Sequence, residues 1–380
     1  MTPTETRSEL ISAREGAERS CDVQTAASAF LGPVSAQVHA LVRTFEGEGP
    51  TVCLIHGNLS SARFFEPLFA ALPAAWHVVA PDLRGFGHSD AIPVDATRGL
   101  GDFVDDIDRV LGETTLVAVD RPVHLVGWSM GGGVAMAYAI EHPDRVASVT
   151  LIAPLSPFGF GGTKGIEGSL CHEDGAGTGA GTVATELVQR LIDKDRTAES
   201  DFSPRSVVRS LYLGPESKLP AALEDIFVDE ILLAALGDDN YPGNQRSSEH
   251  WPGVAPGARG VANAMSPIYC DLAAFTEVAA VRPVLWVRGS EDLIVSDRSM
   301  LDLGHLGALG AVASWPGAEV FPAQPMVSQT RAILKQAEER GGTIIEAVFE
   351  GCGHSPHLED EEHFLDVFVP FVEYAEASWC

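Results

Sequence analysis

The 380-residue sequence predicts an α/β protein: a mainly parallel, doubly wound sheet with a largely helical cap inserted into it. Three observations predict this. Short apolar runs alternate with helix-like segments of roughly 10–15 residues, the rhythm of strands joined by crossover helices. The alternation stops after Pro154 and resumes at Pro283. A serine set among glycines, Ser129, divides one of these strands from the helix that follows it.

The elements follow in order. Residues 1–24 are polar and read as a leader outside the fold. Partial alternation from Val34 to Phe45, a Glu46–Pro50 turn and the apolar run Thr51–Ile55 read as a hairpin. Phe64, Phe65, Leu68, Phe69 and Leu72 make one face of a helix over 62–74. A strand at 77–80, a helix at 103–111, a strand at 123–126, a helix at 132–142 and a strand at 149–153 complete the first block. The inserted cap is assigned to 157–277, with helix-like stretches near 184–194 and 220–236 and a low-complexity patch at 173–182. After it come a strand at 283–288, a weakly periodic stretch from Ser299 to Gln324, a helix at 327–340, a strand at 343–349 and a closing helix at 361–374. The core is therefore discontinuous, 25–156 with 278–380. Its strands follow one another through helices, which implies parallel pairing with both faces covered.

Composition excludes several functions. Against 25 basic residues stand 53 acidic ones, a formal net charge of −28, spread along the chain with no basic run. Such a surface repels nucleic acid and anionic lipid. No run of about 18 apolar residues suggests a membrane span. The first twenty residues lack the apolar core of a secretory signal, and the six cysteines show no C-x-x-C pair. Reduced thiols and a cytoplasmic location are expected. Oligomeric state is left open, a homodimer included.

The chemistry centres on Gly127-Trp128-Ser129-Met130-Gly131. Strand before and helix after give this G-x-S-x-G its meaning: an abrupt turn strains the serine and pushes its hydroxyl above the sheet. The Met130 amide then lies at a helix N-terminus, free to face a developing oxyanion. A nucleophilic serine needs a base, and the base an orienting carboxylate. Two later loops supply both at the carboxyl ends of strands: Gly289-Ser-Glu-Asp292 and Gly351-Cys-Gly-His354-Ser-Pro-His357. Either Glu291 or Asp292 fits as the acid.

Taken together, Ile55-His-Gly-Asn58, Asp82-Leu-Arg-Gly-Phe-Gly-His-Ser89, the serine turn and Gly351-Cys-Gly-His-Ser-Pro-His-Leu-Glu359 resemble the α/β-hydrolase fold superfamily. The likeness is to its serine-nucleophile branch of esterases, lactonases and C–C hydrolases, and it spans about 30–156 and 278–380. The resemblance implies Ser129 as nucleophile, His354 as base and acid, and Asp292 as its orienter. It also implies an oxyanion hole from the amides of Asn58 and Met130, with Leu59 the alternative to Asn58. Epoxide hydrolysis and dehalogenation on this fold rely on a carboxylate at the elbow, so Ser129 argues against both.

Other residues have plainer readings. His56 shapes its turn, and Arg84 and His88 brace the loop after the strand at 77–80. His354 and His357 have H-x-x-H spacing but no third ligand, so no metal site is expected, and His357 caps or packs. His172-Glu-Asp174 reads as solvated surface. Phe158, Phe160, Tyr241, Trp251, Met265 and Tyr269 are candidates for an apolar pocket or for the cap's own core, Trp128 within the elbow is better placed to touch substrate, and Trp315 is a candidate for covering the entrance. The sequence shows no dinucleotide or phosphate loop, and no cofactor is expected. The expected reaction is hydrolysis of an ester or lactone in an apolar small molecule. C–C or amide hydrolysis and acyl transfer use the same triad, and a non-catalytic ligand-binding receptor is the alternative of another class.

Overall fold

The computed structural model describes residues 27–31, 37–43, 49–112 and 121–379. The leader and most of the Glu46–Pro50 turn lie outside them, as do Cys21 and Cys380. Eight strands form one sheet: β1 (Ala27–Leu31), β2 (Val38–Arg43), β3 (Thr51–Ile55), β4 (His77–Pro81), β5 (Val123–Trp128), β6 (Val146–Ile152), β7 (Val284–Gly289) and β8 (Ile344–Phe349). Their order is β1-β2-β4-β3-β5-β6-β7-β8. Pairing is parallel from β4 to β8 and antiparallel at β1–β2 and β2–β4.

Every residue of β3, β4, β5 and β6 is buried, as expected of strands with helices on both faces. The helices include α1 (Glu66–Ala71), α2 (Gly101–Gly112), α3 (Met130–Glu141), α4 (Thr185–Ile192), α5 (Ala221–Ile231), α6 (Phe275–Ala279), α7 (Met326–Glu339) and α8 (Glu361–Trp379), with short helical turns at Pro204–Val207, Val261–Ala264, Leu303–Ala308 and Pro356–Glu359. None of the described helices is long and apolar enough to cross a membrane. The described cysteines, Cys53, Cys171, Cys270 and Cys352, are free.

One expectation is corrected here. β2 and β3 do not form a hairpin, because β4 lies between them and pairs with both. The continuous apolar run of β4 needs two covered faces, whereas the mixed pattern of β2 suits the sheet margin. The low-complexity patch at 173–182 packs into the fold. Its residues 175–180 are buried, because small residues there let Phe321 and Asn263 approach the backbone.

Between β6 and β7 the chain leaves the sheet. Around α4 and α5 it adds three two-stranded ribbons, pairing 163–164 with 169–170, 236–237 with 241–242, and 245–247 with 254–256. A wide π-type turn, Val208–Tyr212, lies between α4 and α5.

The order of the central strands fixes where a site belongs. The chain moves outward from β3 to β4, then returns past β3 to β5, so the connections diverge between β3 and β5. Open α/β sheets bind ligands beyond the carboxyl ends of the strands at such a point. The His56–Asn58 loop leaves β3 there, and Ser129 leaves β5.

Candidate active site

β5 ends at Trp128 and α3 begins at Met130, so Ser129 alone makes the turn. It does so at φ 58, ψ −122, a conformation that costs a non-glycine residue of order 1–3 kcal/mol. The turn survives because its surroundings hold it. The Ser129 amide donates to the Ile152 carbonyl at 2.9 Å, and the Ser129 carbonyl accepts from Leu155 at 2.9 Å. Glycine is required on both sides. A Cβ on Gly127 would stand 2.2 Å from the Gly131 carbonyl oxygen, and one on Gly131 would stand 2.1 Å from that of Ile55.

The loop after β3 meets this turn directly: a Cβ on Gly57 would lie 2.9 Å from the Ser129 Cβ. Its peptides are held one by one. The Gly57 carbonyl accepts from His56 Nδ1 at 2.7 Å and from Ser60 Oγ at 2.8 Å. The carbonyls of Asn58 and Leu59 face the Tyr212 hydroxyl at 3.1 and 3.2 Å. Leu59 itself sits at φ 47. Among the described residues the amides of Asn58, Leu59 and Met130 donate to no acceptor. Three N–H groups therefore stand uncommitted around the Ser129 turn.

His56 is fully buried. Burial lowers its pKa, its Nε2 accepts from the Leu83 amide at 2.9 Å, and it acts as a structural fastener between loops. Arg84 grips Asp106 of α2 through Nε and Nη2 at 2.9 and 2.8 Å, and so braces the loop after β4. The His88 amide donates to Asp82 at 2.9 Å in the same loop.

At the neighbouring strand ends, His354 Nδ1 faces Asp292 Oδ2 at 2.9 Å, both side chains almost wholly buried. The other Asp292 oxygen accepts from the amides of Ile294 and Val295 at 2.8 and 3.0 Å. Glu291 is exposed. Geometry thus selects Asp292 from the two adjacent acids as the partner of His354. His354 and Ser129 meet through Trp128, whose Nε1 donates to the His354 carbonyl at 2.8 Å. Among the described residues no hydrogen bond joins Ser129 to His354. Such contacts are often long in the free state of an enzyme and tighten with substrate.

The aromatic candidates separate into groups. Trp128 is buried and stacks on Phe64, which stacks in turn on Phe227, while Tyr212 meets the Trp128 ring edge-on. Tyr241 is buried with its hydroxyl beside the Asn58 side chain, and burial pushes its pKa up. Phe158, Met265 and Tyr269 are partly buried against the core. Trp251 and Trp315 belong to a separate cluster around Phe321, donating to the carbonyls of Ala313 and Phe321. His172 is part of that cluster, stacked on His250 at 4.4 Å, which corrects its reading as solvated surface. His357 packs between Phe65, Trp128 and Phe364, with neither ring nitrogen bonded. Burial, and the neighbouring His354, push its pKa down to about 3.

Two participants have no role assigned from the sequence. Tyr212 reaches the Asn58–Leu59 loop from the insertion, and Glu359 accepts from the amides of Gly353 and Ser355, on either side of His354, at 2.8 and 3.3 Å. A second serine–histidine–aspartate line also exists: Ser28 Oγ to His39 Nε2 at 2.6 Å, and His39 Nδ1 to Asp82 at 2.7 Å. Asp82 accepts from Ala62 and His88 amides as well, so this line fastens the β1–β2–β4 margin. It lies on no helix N-terminus, unlike Ser129. Clefts of about 190 and 280 Å³ occur elsewhere and do not include Ser129. Among the described residues no group of three His, Cys, Asp or Glu side chains could hold a metal ion.

Residues 50–168 match the family model of the α/β-hydrolase fold. The chain is 34% identical over 112 residues to a 2-hydroxy-6-oxo-6-phenylhexa-2,4-dienoate hydrolase of Burkholderia cepacia, covering 28% of this chain and 37% of that one. It is 39% identical over 103 residues to a pimeloyl-[acyl-carrier protein] methyl ester esterase of Neisseria meningitidis, covering 27% and 35%. The chain thus matches little more than a third of the length of these curated relatives. A bromoperoxidase from Bacillus anthracis superposes with a TM-score of 0.56 at 17% identity, over 91% of this chain and 100% of that one, a likeness of fold.

Proposed function

The chain belongs to the α/β-hydrolase superfamily, and from that premise we propose that it hydrolyses a carboxylic ester or lactone of a mostly apolar small molecule. Ser129 is the nucleophile, His354 the general base and acid, and Asp292 the carboxylate that orients it. The observation that carries this reading is the strained Ser129 turn with uncommitted amides beside it.

Asp292 accepts a hydrogen bond from His354 Nδ1, which leaves the Nε2 lone pair free to take the Ser129 proton. As Oγ bonds to the acyl carbon, its proton passes to Nε2 and the carbonyl π electrons move to oxygen. The Met130 amide, with that of Asn58 or Leu59, stabilises the resulting oxyanion. Collapse of the adduct expels the alkoxide, which takes the proton from Nε2 and leaves an acyl-serine. Water then repeats the sequence: Nε2 accepts its proton, the acid departs, and Ser129 is restored.

A panel of aryl esters, lactones, amides and β-diketones, with Ser129→Ala as the blank, tests the proposal. Ester or lactone turnover that disappears in the blank supports it, and turnover retained in the blank refutes it. A second reading, hydrolysis of a keto-acid of the kind named for the Burkholderia relative, predicts that the diketone is the preferred member of the panel.

A further inference from the structure

One short stretch of the insertion touches both halves of the proposed machinery. Tyr212 closes the π-type turn, and its buried ring lies against Trp128 and Phe64 and 6.2 Å from the His354 ring. Its hydroxyl faces the carbonyls of Asn58 and Leu59. Burial pushes the phenol pKa up, which keeps the proton on the oxygen and the group a donor. Two residues on, the Gly214 amide donates to Glu359 at 2.6 Å, and the Ser217 hydroxyl donates to the same carboxylate oxygen. The other oxygen of Glu359 holds the amides that flank His354.

The backbones are also in contact. A Cβ on Gly214 would stand 2.2 Å from the Gly351 carbonyl oxygen, and one on Gly353 would stand 2.5 Å from the Gly214 nitrogen. Glycine on both sides lets the insertion press on the histidine loop without an intervening side chain.

We propose that Tyr212–Ser217 is a positioning strap that sets the oxyanion loop and the His354 loop together. In a trans peptide the carbonyl of one residue and the amide of the next point in opposite directions. Holding the Asn58 carbonyl therefore aims the Leu59 amide, just as His56 and Ser60, by holding the Gly57 carbonyl, aim that of Asn58. The strap thereby fixes the Leu59 amide, one of the two candidates for the second oxyanion donor. The insertion then governs turnover, and not only which substrates fit. This inference rests on Ser129 and His354 acting as proposed above.

The test uses the full chain with p-nitrophenyl butyrate and a fluorophosphonate probe. Tyr212→Phe keeps the ring and removes the hydroxyl. Its kcat should fall about tenfold with KM within about twofold, below the loss expected for removing an oxyanion donor outright. Phosphonylation of Ser129, which places a P–O oxygen in the same hole, should slow by the same factor while thermal stability is kept. Glu359→Gln should lower kcat similarly, and the double variant by less than the product of the two, since both loosen one strap. Unchanged kcat and labelling rates in both variants overturn the strap, as does a loss confined to KM. If the parent chain itself leaves Ser129 unlabelled, the underlying reading fails and the inference falls with it.

Discussion

Replacing Asp292 with asparagine changes one atom in a buried site and should change the tautomer of His354. Asp292 spends one oxygen on the amides of Ile294 and Val295, 2.8 and 3.0 Å away, and the other on His354 Nδ1 at 2.9 Å. An asparagine has one acceptor oxygen. Two amides claim it, so the NH2 group turns toward His354. The imidazole must then accept at Nδ1, which places its proton on Nε2, where it can no longer take one from Ser129. Loss of the correct tautomer in a triad of this type costs about 10⁴ in kcat, and a fall of ~10³–10⁴ is expected here. Shape is conserved and the amide bonds persist, so the variant should fold. Initial rates on an aryl ester, compared with Glu291→Gln, read the effect. The exposed Glu291 should be neutral. Activity within tenfold of the parent in Asp292→Asn would refute the reasoning.

Two further outcomes concern stability. His357 is pushed down to about 3 and is neutral in the fold, while in the unfolded chain it titrates near its ordinary 6.5. The unfolded state therefore binds the extra proton below 6.5, and the parent loses stability as pH falls from there toward 3, by about 1.4 kcal/mol per unit. His357→Leu removes that loss, so its advantage in urea denaturation should widen by about 2 kcal/mol between pH 6.5 and 5. A margin independent of pH would contradict this. Arg84→Met leaves the fully buried Asp106 without its bidentate partner and should cost about 3–5 kcal/mol. Asp106 is already pushed up by burial, with Arg84 opposing the shift. The deficit should therefore be larger at pH 8 than at pH 5, and equal deficits would contradict a change in Asp106 ionisation across that range.

Local chemistry made much of this protein legible. The serine turn could be read because strand, glycine and helix signals lie within a few residues, and the strand after Pro283 brought Asp292 to the right edge. The choice of Asp292 over Glu291 rested on the family resemblance alone, since adjacent residues differ only in which way they face. The false hairpin arose because sequence neighbours β2 and β3 leave room for β4 between them. The roles of Tyr212 and of the Glu359–Gly214 bond were illegible for a different reason: both contacts join segments about 150 residues apart, which no periodicity encodes. Trp251 looked like a pocket residue because aromaticity alone does not tell a binding wall from the core around Phe321.

The central claim is that Ser129 is the activated nucleophile. Its most direct measurement is incubation with a fluorophosphonate followed by mass mapping of the adduct. One adduct is expected on Ser129, with ester turnover lost in proportion, and none on Ser28 despite its bond to His39. An unlabelled Ser129, in a chain that still hydrolyses esters, would contradict it.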